Sequence, residues 1–251
     1  MRISGSVLGA RVDALDSDTA LSRIEGWAGC HESRYVVFAN VHVVVSTTQD
    51  EAFGRVVNGA DMATPDGEPV AWMLRRLGHS AQRRLSGPDL TWVLLDRCAN
   101  RSLPVYFFGS SRETLVNLAQ RIAKAFPQLQ IAGFEAPPFR PMTDDEDTAA
   151  VDRINTSGAR LVFVGLGCPK QEYWMAAHRG RVNAVMLGVG AAFDFHAGTI
   201  SRAPAWMREY GLEWLHRLWS EPRRLWKRYL VTNTLFVLGA AWQLLFKADR
   251  S

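Results

Sequence analysis

The sequence predicts an α/β fold in which a layered, mostly parallel sheet is followed by a basic helical appendage. Five short runs are apolar on both faces, as strands covered by helices on both sides must be. Helical stretches alternate with these runs, and a basic segment rich in tryptophan follows the last of them. This alternation is typical of parallel strands joined by right-handed crossovers. The predicted strands are 35–39, 104–108, 129–132, 160–164 and 183–187.

An N-terminal strand and seven helices complete the predicted elements. The first fifteen residues contain a short apolar run broken by glycine, serine and arginine, which predicts a strand and not a signal peptide. Asp18 and either Ser110 or Ser111 can cap helices, while Pro88 and Pro169 suit a first helical turn. Helices are predicted near 18–29, 47–59, 67–77, 88–100, 111–126, 145–157 and 169–178.

The composition is that of a soluble globular protein, since 47% of the 251 residues are hydrophobic and 22% are charged. It excludes collagen-like, coiled-coil and largely disordered chains. The three cysteines form no CxxC or Cys/His cluster, so neither a zinc site nor a disulfide framework is expected. A reducing cytosol fits this cysteine usage.

Basic residues are in excess near the C-terminal end of the chain. Residues 202–228 contain seven basic and three acidic side chains, an excess equal to the net charge of +4 of the whole chain. Residues 206–242 contain five of the nine tryptophans. We therefore predict two parts: an α/β body over residues 1–200 that binds the ligands, and a helical appendage over residues 201–251 with a separate surface task.

Three predicted strand ends are rich in glycine, and ligands of parallel sheets bind beyond such ends. Gly109 lies in FFGSS (107–111), Gly167 lies in VGLGCPKQE (164–172), and the third loop is LGVGAAFDFHAG (187–198). A nucleotide-type ligand is expected, because such turns aim a helix N-terminus at phosphate. Each loop alone is also compatible with a simple turn. The two GxG strings do not complete a dinucleotide fingerprint at Lys170 and Phe193, and the absence of a GxxxxGK[ST] motif disfavours an ATPase or GTPase.

Asp66, in TPDGEPV (64–70), is the main candidate for acid–base chemistry. A carboxylate at a strand-to-helix turn can act as a general base at the rim of a ligand crevice. The alternative is that it forms the turn or caps the next helix. Asp89 and Asp194 also lie near glycine-rich turns, and His196 is interpreted as a packing residue.

Metal binding is not expected from the two DxD strings, at 16–18 and 145–147. Both precede predicted helices, where first-turn acids favour the helix dipole. We therefore predict neither a metal site nor a cofactor. The arginines of 202–228 are then the expected source of positive charge for a diphosphate.

A series of motifs occurs in order along the chain: TPDG (64–67), GLGCPKQE (165–172), GVGAAFDFHAG (188–198), RAPAWM (202–207) and GLEWLHRLWSEPRRLWKRYL (211–230). Together they resemble the bacterial WecG/TagA/CpsF glycosyltransferases (glycosyltransferase family 26), from about residue 3 to 230. The resemblance implies a Rossmann-like sheet and an inverting, metal-independent transferase. Its sugar, of the N-acetylmannosamine, N-acetylmannosaminuronic acid or glucose type, would move from a UDP-sugar to a sugar on a polyprenyl-diphosphate carrier, for cell-envelope polysaccharide or exopolysaccharide.

The resemblance also implies roles for individual residues. Asp66 would deprotonate the acceptor hydroxyl, and inversion needs such a base without a second nucleophile. Arg217 and Arg224 would engage the diphosphate, with Arg228 as a further candidate, and the spacing puts all three on one helix face unless Pro222 interrupts the helix. The substrate-binding candidates, in addition to Arg228, are Asn40, Thr64, Gly109, Phe134, Gly167, Gln171 and Asp194.

The nearly apolar run 229–246 leaves three interpretations open: an interfacial helix, a helix packed on the body or on a partner, and a spanning helix. A lipid-linked acceptor favours the first. We therefore expect a cytoplasmic enzyme, peripherally associated with the inner face of the bacterial plasma membrane. Its expected partners are the donor, the acceptor and the membrane surface, not nucleic acid, and a homo-oligomer is left open. The rival hypotheses are a dinucleotide-dependent oxidoreductase and a non-catalytic protein that binds the membrane surface.

Overall fold

The computed structural model describes residues 2–246. The strands are β1 (Ser4–Val7), β2 (Ala10–Asp13), β3 (Arg34–Ala39), β4 (Met62–Pro65), β5 (Val105–Gly109), β6 (Ile131–Glu135), β7 (Leu161–Gly165) and β8 (Val185–Gly188). The helices are α1 (Ser17–Gly29), α2 (Val41–Gln49), α3 (Glu51–Asn58), α4 (Glu68–Arg76), α5 (Gly87–Asn100), α6 (Arg112–Ala125), α7 (Asp144–Thr156), α8 (Lys170–His178), α9 (Ala192–Ala197), α10 (Ala205–Glu209), α11 (Glu213–Ser220) and α12 (Pro222–Phe246).

A six-stranded sheet with the order β4-β3-β8-β7-β5-β6 forms the centre of the fold, and β1 and β2 form a separate antiparallel hairpin. The pairs β3–β8, β8–β7, β7–β5 and β5–β6 are parallel. Strands β3, β5, β7 and β8 are buried along nearly their whole length, which explains why their sequences are apolar on both faces. Each of the five predicted strands overlaps a strand of this sheet, although 129–132 shares only its last two residues with β6. The prediction of an α/β, Rossmann-like layered fold with a helical C-terminal segment is confirmed.

Some local predictions differ from the structure. The single helix predicted near 47–59 is wrong, because the segment forms the two helices α2 and α3. Each has its own N-cap: Oδ1 of Asn40 accepts from the backbone N–H of Val43, and Oδ1 of Asp50 accepts from that of Phe53. The predicted N-terminal strand is a hairpin, and β4 was not predicted because it has only four residues. Of the two serines proposed to cap α6, it is Ser111 that does so.

The chain forms two compact units. The first comprises the described residues of Met1–Asp16, Phe38–Ser86 and Ile200–Ser251, and the second comprises Ser17–Val37 and Gly87–Thr199. Within the first unit, helix α12 packs on α2. The second unit contains a buried aromatic cluster in which the ring of Phe107 packs against those of Phe163 and Phe193. The functional division of the chain at residue 201 stays a prediction, and residues 247–251 of the predicted appendage lie outside the described part.

Helix α12 has a buried face and an exposed apolar face. On the buried face, the Gln243 side chain accepts from the backbone N–H of Leu8 (2.8 Å) and donates to the carbonyl of Ser6 (2.6 Å). Leu225 and Phe236 are also buried. The opposite face exposes large apolar side chains, namely Trp226, Leu230, Val231, Leu235, Val237, Leu238, Trp242, Leu245 and Phe246. The stretch Leu225–Phe246 is long and apolar enough to cross a membrane, judged by length and composition alone.

Candidate active site

Asp66 lies directly after β4, in a turn that the backbone fixes on both sides. Its N–H donates to the carbonyl oxygen of Ala39 at the end of β3 (3.1 Å), and the N–H of Leu85 donates to that of Pro65 (2.8 Å). The N-cap of α4 is Gly67, with φ of 96°, and it makes no side-chain cap hydrogen bond. Asp66 is therefore not the N-cap of α4, one of the two roles that the alternative interpretation gave it. The other role, formation of the turn, agrees with its place between β4 and α4.

The Asp66 carboxyl has an electrostatic environment that favours its neutral form. Its burial raises its pKa to about 7, and the negative charge of Glu213 contributes to the rise. The positive charges of Arg84 and Arg217 and a hydrogen bond from Asn40 act in the opposite direction. Because Oδ1 of Asn40 already accepts from Val43, the donor to Asp66 is its Nδ2 amide. A carboxyl with a pKa near neutrality is suited to accept a proton at cellular pH.

Two charged residues of this cluster were not predicted from the sequence. Arg84 and Glu213 form an ion pair of 3.1 Å, and their side chains are only 19% and 18% exposed. Arg84 lies between α4 and α5, whereas Glu213 is in the first turn of α11. The only sequence signal was a pair of arginines, Arg83 and Arg84, in a loop between two predicted helices.

The three candidate arginines of the C-terminal segment do not share one helix. Arg217 belongs to α11, which ends at Ser220, and α12 begins at Pro222, a residue that suits a first helical turn. The charge of Arg228, on α12, contributes to a lowered pKa of His42, for which burial is the larger cause. The side chain of Arg224 lies outside the part that the structure describes.

Thr64 is the least accessible of the candidates in the first unit. Its side chain is fully buried in β4, and its hydroxyl oxygen has no hydrogen-bond partner among residues 2–246. The first unit thus brings together Asp66, Asn40 and Arg217 and adds Arg84 and Glu213 to them, while the roles predicted for these residues stay predictions. The assignment of Thr64 to substrate binding stays a prediction.

The second unit contains the predicted glycine-rich loops, at the carboxyl ends of β5, β7 and β8. At the end of β5, Gly109 has φ of 127°, and a Cβ there would lie 2.5 Å from the backbone carbonyl carbon of Gly165. The N–H of Ser110 donates to the carbonyl oxygen of Gly165 (3.0 Å). Close contact between two strand ends is therefore one reason for these glycines. Gly167 also has positive φ, 79°, with open space around it.

Gln171 and Glu172 begin α8 in this second unit, and both side chains are buried. The Nε2 amide of Gln171 donates to the carbonyl oxygen of Gly188 and to Oε1 of Glu172, both at 2.8 Å. Both amide hydrogens are thus used within the protein, and the side chain is fixed against the end of β8. Burial raises the pKa of the Glu172 carboxyl.

Asp194 and Phe134 complete the predicted set in the second unit. Oδ1 of Asp194, in the first turn of α9, accepts from the hydroxyl of Thr114 (3.4 Å). Phe134 stacks on Phe107 with ring centroids 4.8 Å apart, and it remains partly exposed. His196 stacks on a tryptophan, Trp92, at 4.6 Å, in agreement with its interpretation as a packing residue.

The acidic DxD strings have structural partners. Asp147 lies in the first turn of α7, where its carboxylate accepts from Trp174 (3.1 Å) and contacts His178 (2.8 Å). Asp18 pairs with Arg97 at 2.7 Å. Among residues 2–246, no three His, Cys, Asp or Glu side chains are grouped so that they could hold a metal ion.

Comparison with known proteins identifies relatives of the chain. The profile of the glycosyl transferase WecG/TagA/CpsF family matches residues 5–250. Two relatives carry the name N-acetylglucosaminyldiphosphoundecaprenol N-acetyl-beta-D-mannosaminyltransferase. The one from Bacillus spizizenii is 31% identical over 201 residues, which cover 80% of this chain and 76% of the relative. The one from Bacillus subtilis is 29% identical over 192 residues, which cover 76% of this chain and 73% of the relative.

Proposed function

This chain belongs to the glycosyl transferase WecG/TagA/CpsF family and is therefore a glycosyltransferase, and we propose that it moves a sugar from a UDP-sugar to a sugar on a polyprenyl-diphosphate carrier, with inversion. The names of the two relatives support an acceptor of the N-acetylglucosaminyl-diphosphoundecaprenol type and an N-acetylmannosaminyl donor group. The product would serve cell-envelope polysaccharide synthesis. The dinucleotide-dependent oxidoreductase is not favoured by this family membership.

The observation that carries the proposal is the Asp66 cluster. In an inverting transfer, one base removes the proton of the acceptor hydroxyl while the hydroxyl oxygen attacks the anomeric carbon of the donor. The bond from that carbon to the diphosphate oxygen breaks, and UDP leaves with the bonding electrons. Asp66 is suited to this step because its pKa of about 7 allows it to be ionised before the step and protonated after it.

The leaving diphosphate needs positive charge. We assign this task to Arg217, whose charge already acts on Asp66, and to Arg224 and Arg228 in the same C-terminal segment. Guanidinium groups match phosphate oxygens with paired hydrogen bonds, so they can stabilise departing UDP where no metal ion does so. Metal independence is part of the proposal.

The donor nucleotide is assigned to the glycine-rich strand ends and their neighbours. Helix α8 begins directly after the Gly167 loop, and its N-terminus offers backbone N–H groups for a phosphate. Phe134 offers a partly exposed aromatic face for a base. Asp194 offers its carboxylate, and Gln171 offers only Oε1, because both its amide hydrogens are already used within the protein. In the first unit, Asn40, beside Asp66, and Thr64 are assigned to substrate contacts.

The exposed apolar face of α12 supports association with the membrane that holds the acceptor. Trp226 and Trp242 on this face are 56% and 55% exposed, and basic residues precede them on the same helix. Tryptophan and arginine at a lipid headgroup layer are typical of helices that lie on a membrane. We therefore place the enzyme at the cytoplasmic face of the plasma membrane, as a peripheral protein.

A product assay with a panel of UDP-sugars tests the proposal. The acceptor is N-acetylglucosamine linked to a short prenyl diphosphate, and mass spectrometry detects the product. We expect the mass of one N-acetylhexosamine to be added from UDP-N-acetylmannosamine. Transfer of a uronic acid or a hexose would change the sugar and keep the reaction. If no UDP-sugar yields a product, the proposed reaction is wrong.

A further inference from the structure

Glu213 has an unusual position for an acidic residue in a basic segment. It begins α11, within the stretch 202–228 where basic residues outnumber acidic ones, and its side chain is 18% exposed. A surface acid in such a segment would normally be solvated. Glu213 is instead largely withdrawn from water and paired with Arg84, which comes from a loop far away in the sequence.

Hydrogen bonds and an ion pair bring the groups that face Asp66 together from three parts of the first unit. The N–H of Leu85 donates to the carbonyl oxygen of Pro65 (2.8 Å), which holds the neighbouring Arg84 beside Asp66, and Glu213 pairs with Arg84 at 3.1 Å. Arg217 lies one turn after Glu213 on α11, and Asn40, the N-cap of α2, donates to the Asp66 carboxyl. Of these, Glu213 alone carries a negative charge. Its carboxylate therefore opposes ionisation of Asp66 directly, and it partly offsets the charge of Arg84, which favours the ionised form.

We propose that Glu213 is a positioning residue for the Asp66 base, which acts through its charge and its ion pair with Arg84 and does not touch the substrate. The inference rests on the proposed function and deepens it. Its consequence is that α11, in the basic C-terminal segment, sets the strength of the base as well as supplying Arg217. A stronger base takes the acceptor proton more readily, provided that it is ionised at the working pH.

The test compares two single substitutions that act in opposite directions. Glu213→Gln removes the like charge and the ion pair with Arg84, so the pKa of Asp66 should fall by about one unit or more. Arg84→Gln removes an opposing charge, so the pKa of Asp66 should rise. The double variant should return toward the wild type. A residue with a purely structural role would not give shifts of opposite sign.

Two readouts separate this inference from the proposed function. The first is the acidic limb of the kcat/KM profile against pH, which should move down for Glu213→Gln and up for Arg84→Gln. The second is the carboxyl carbon chemical shift of Asp66, followed by NMR in the purified protein without substrate. If the wild type transfers no sugar, the proposed reaction fails, but the NMR titration still tests the effect of Glu213.

Two control variants show whether the shifts come from the charge of Glu213 or from a general disturbance of the structure. Glu51→Gln makes the same change at a surface ion pair with Arg55, where Glu51 is 91% exposed, and it should move neither readout. Glu213→Asp keeps the charge, so it should keep the Asp66 pKa closer to that of the wild type than Glu213→Gln does. Unchanged titration of Asp66 in Glu213→Gln, or shifts of the same sign in both single variants, would overturn the proposal.

Discussion

Asp66 has a backbone fixed by hydrogen bonds and a carboxyl group whose pKa lies near neutrality. The turn is fixed by hydrogen bonds to Ala39 and from Leu85, so the side chain starts from a defined place. Burial and Glu213 raise its pKa to about 7, against Arg84 and Arg217. Because charges of both signs act on the same carboxyl, single substitutions in this cluster should have measurable effects on proton transfer.

Asp66→Asn tests the role of the base. The amide is nearly the same size as the carboxyl, so the fold and the affinity for UDP should be kept, whereas kcat should fall by about 10²–10⁴-fold. Turnover is measured with the prenyl-diphosphate acceptor, and UDP affinity by calorimetry. A variant with near-normal kcat would remove Asp66 from the mechanism.

The raised pKa also predicts how activity depends on pH. The base must be ionised, so kcat/KM should fall about tenfold per pH unit below pH 7 and level off above it. A profile that stays flat from pH 5 to pH 8 would contradict the role given to this carboxyl.

Stability should depend on pH through the same group. A carboxyl whose pKa is raised on folding stabilises the native state fully below its ordinary pKa of 3.8, and this contribution is lost as pH rises to about 7. The Asp66→Asn variant has no carboxyl at this position, so its stability lacks this dependence on pH. The difference in Tm between the variant and the wild type should therefore shift in favour of the variant between pH 5 and pH 8. A difference that does not change with pH would mean that Asp66 is not perturbed.

The sequence indicated Asp66 as a candidate base, but it did not indicate the two charged residues, Arg84 and Glu213, that shift the pKa of Asp66. TPDG is a short local motif, and the helix predicted near 67–77 follows it directly, although the strand before it, β4, was not among the predicted strands. Arg84 and Glu213 meet only because folding brings together a loop and a helix from distant parts of the chain. An ion pair of this kind leaves no periodic signal in the sequence.

Among the secondary-structure elements, glycines with positive φ occur for two separable reasons. Gly109, at the end of β5, has positive φ and also lies against the backbone of Gly165, whereas Gly180, after α8, has positive φ, 85°, with nothing near its missing Cβ. The sequence predicted the turn at Gly109 from glycine alone. It could not show that the ends of β5 and β7 touch, because that contact depends on strand order.

Gly109→Ala and Gly180→Ala separate these causes. Gly180→Ala should cost about 1–2 kcal/mol of stability, from the left-handed backbone alone. Gly109→Ala should cost about 1–3 kcal/mol more, because the added methyl group must displace backbone. Urea denaturation of the two variants measures both values. Equal losses would mean that the contact with Gly165 relaxes freely.

The buried face and the exposed face of α12 are expected to respond differently to mutation. Deletion of residues from 229 onward would remove buried Phe236 and Gln243 as well as the exposed face, so it would disturb the first unit. Substitution of the exposed face is the cleaner test. Leu230→Gln with Leu238→Gln should abolish binding to anionic vesicles and keep Tm and transfer to a water-soluble acceptor, since both side chains are more than 60% exposed.

Val116→Gln is the matched control, because Val116 is 57% exposed on α6. It should leave vesicle binding, measured by flotation, unchanged. If the double variant of α12 floats with vesicles as well as the wild type does, the exposed face is not the membrane contact.

For the whole molecule, the sequence predicted the sheet well because its strands are buried on both faces and therefore apolar throughout. It did not predict that residues 200–246 share a compact unit with residues 38–86. The reason is visible at Gln243, a polar residue in an apolar run, whose hydrogen bonds to Ser6 and Leu8 connect the last helix to the first hairpin. Such a pairing depends on the folded chain and not on any local pattern.

We propose that this chain transfers a sugar from a UDP-sugar to a lipid-linked acceptor with inversion, using arginines in place of a metal ion. The most direct measurement is the NMR spectrum of the product formed from UDP-N-acetylmannosamine and the prenyl-diphosphate acceptor in the presence of EDTA. The account predicts a disaccharide product whose anomeric configuration is opposite to that of the donor. Retention of configuration, or loss of all product that Mn²⁺ or Mg²⁺ restores, would contradict it.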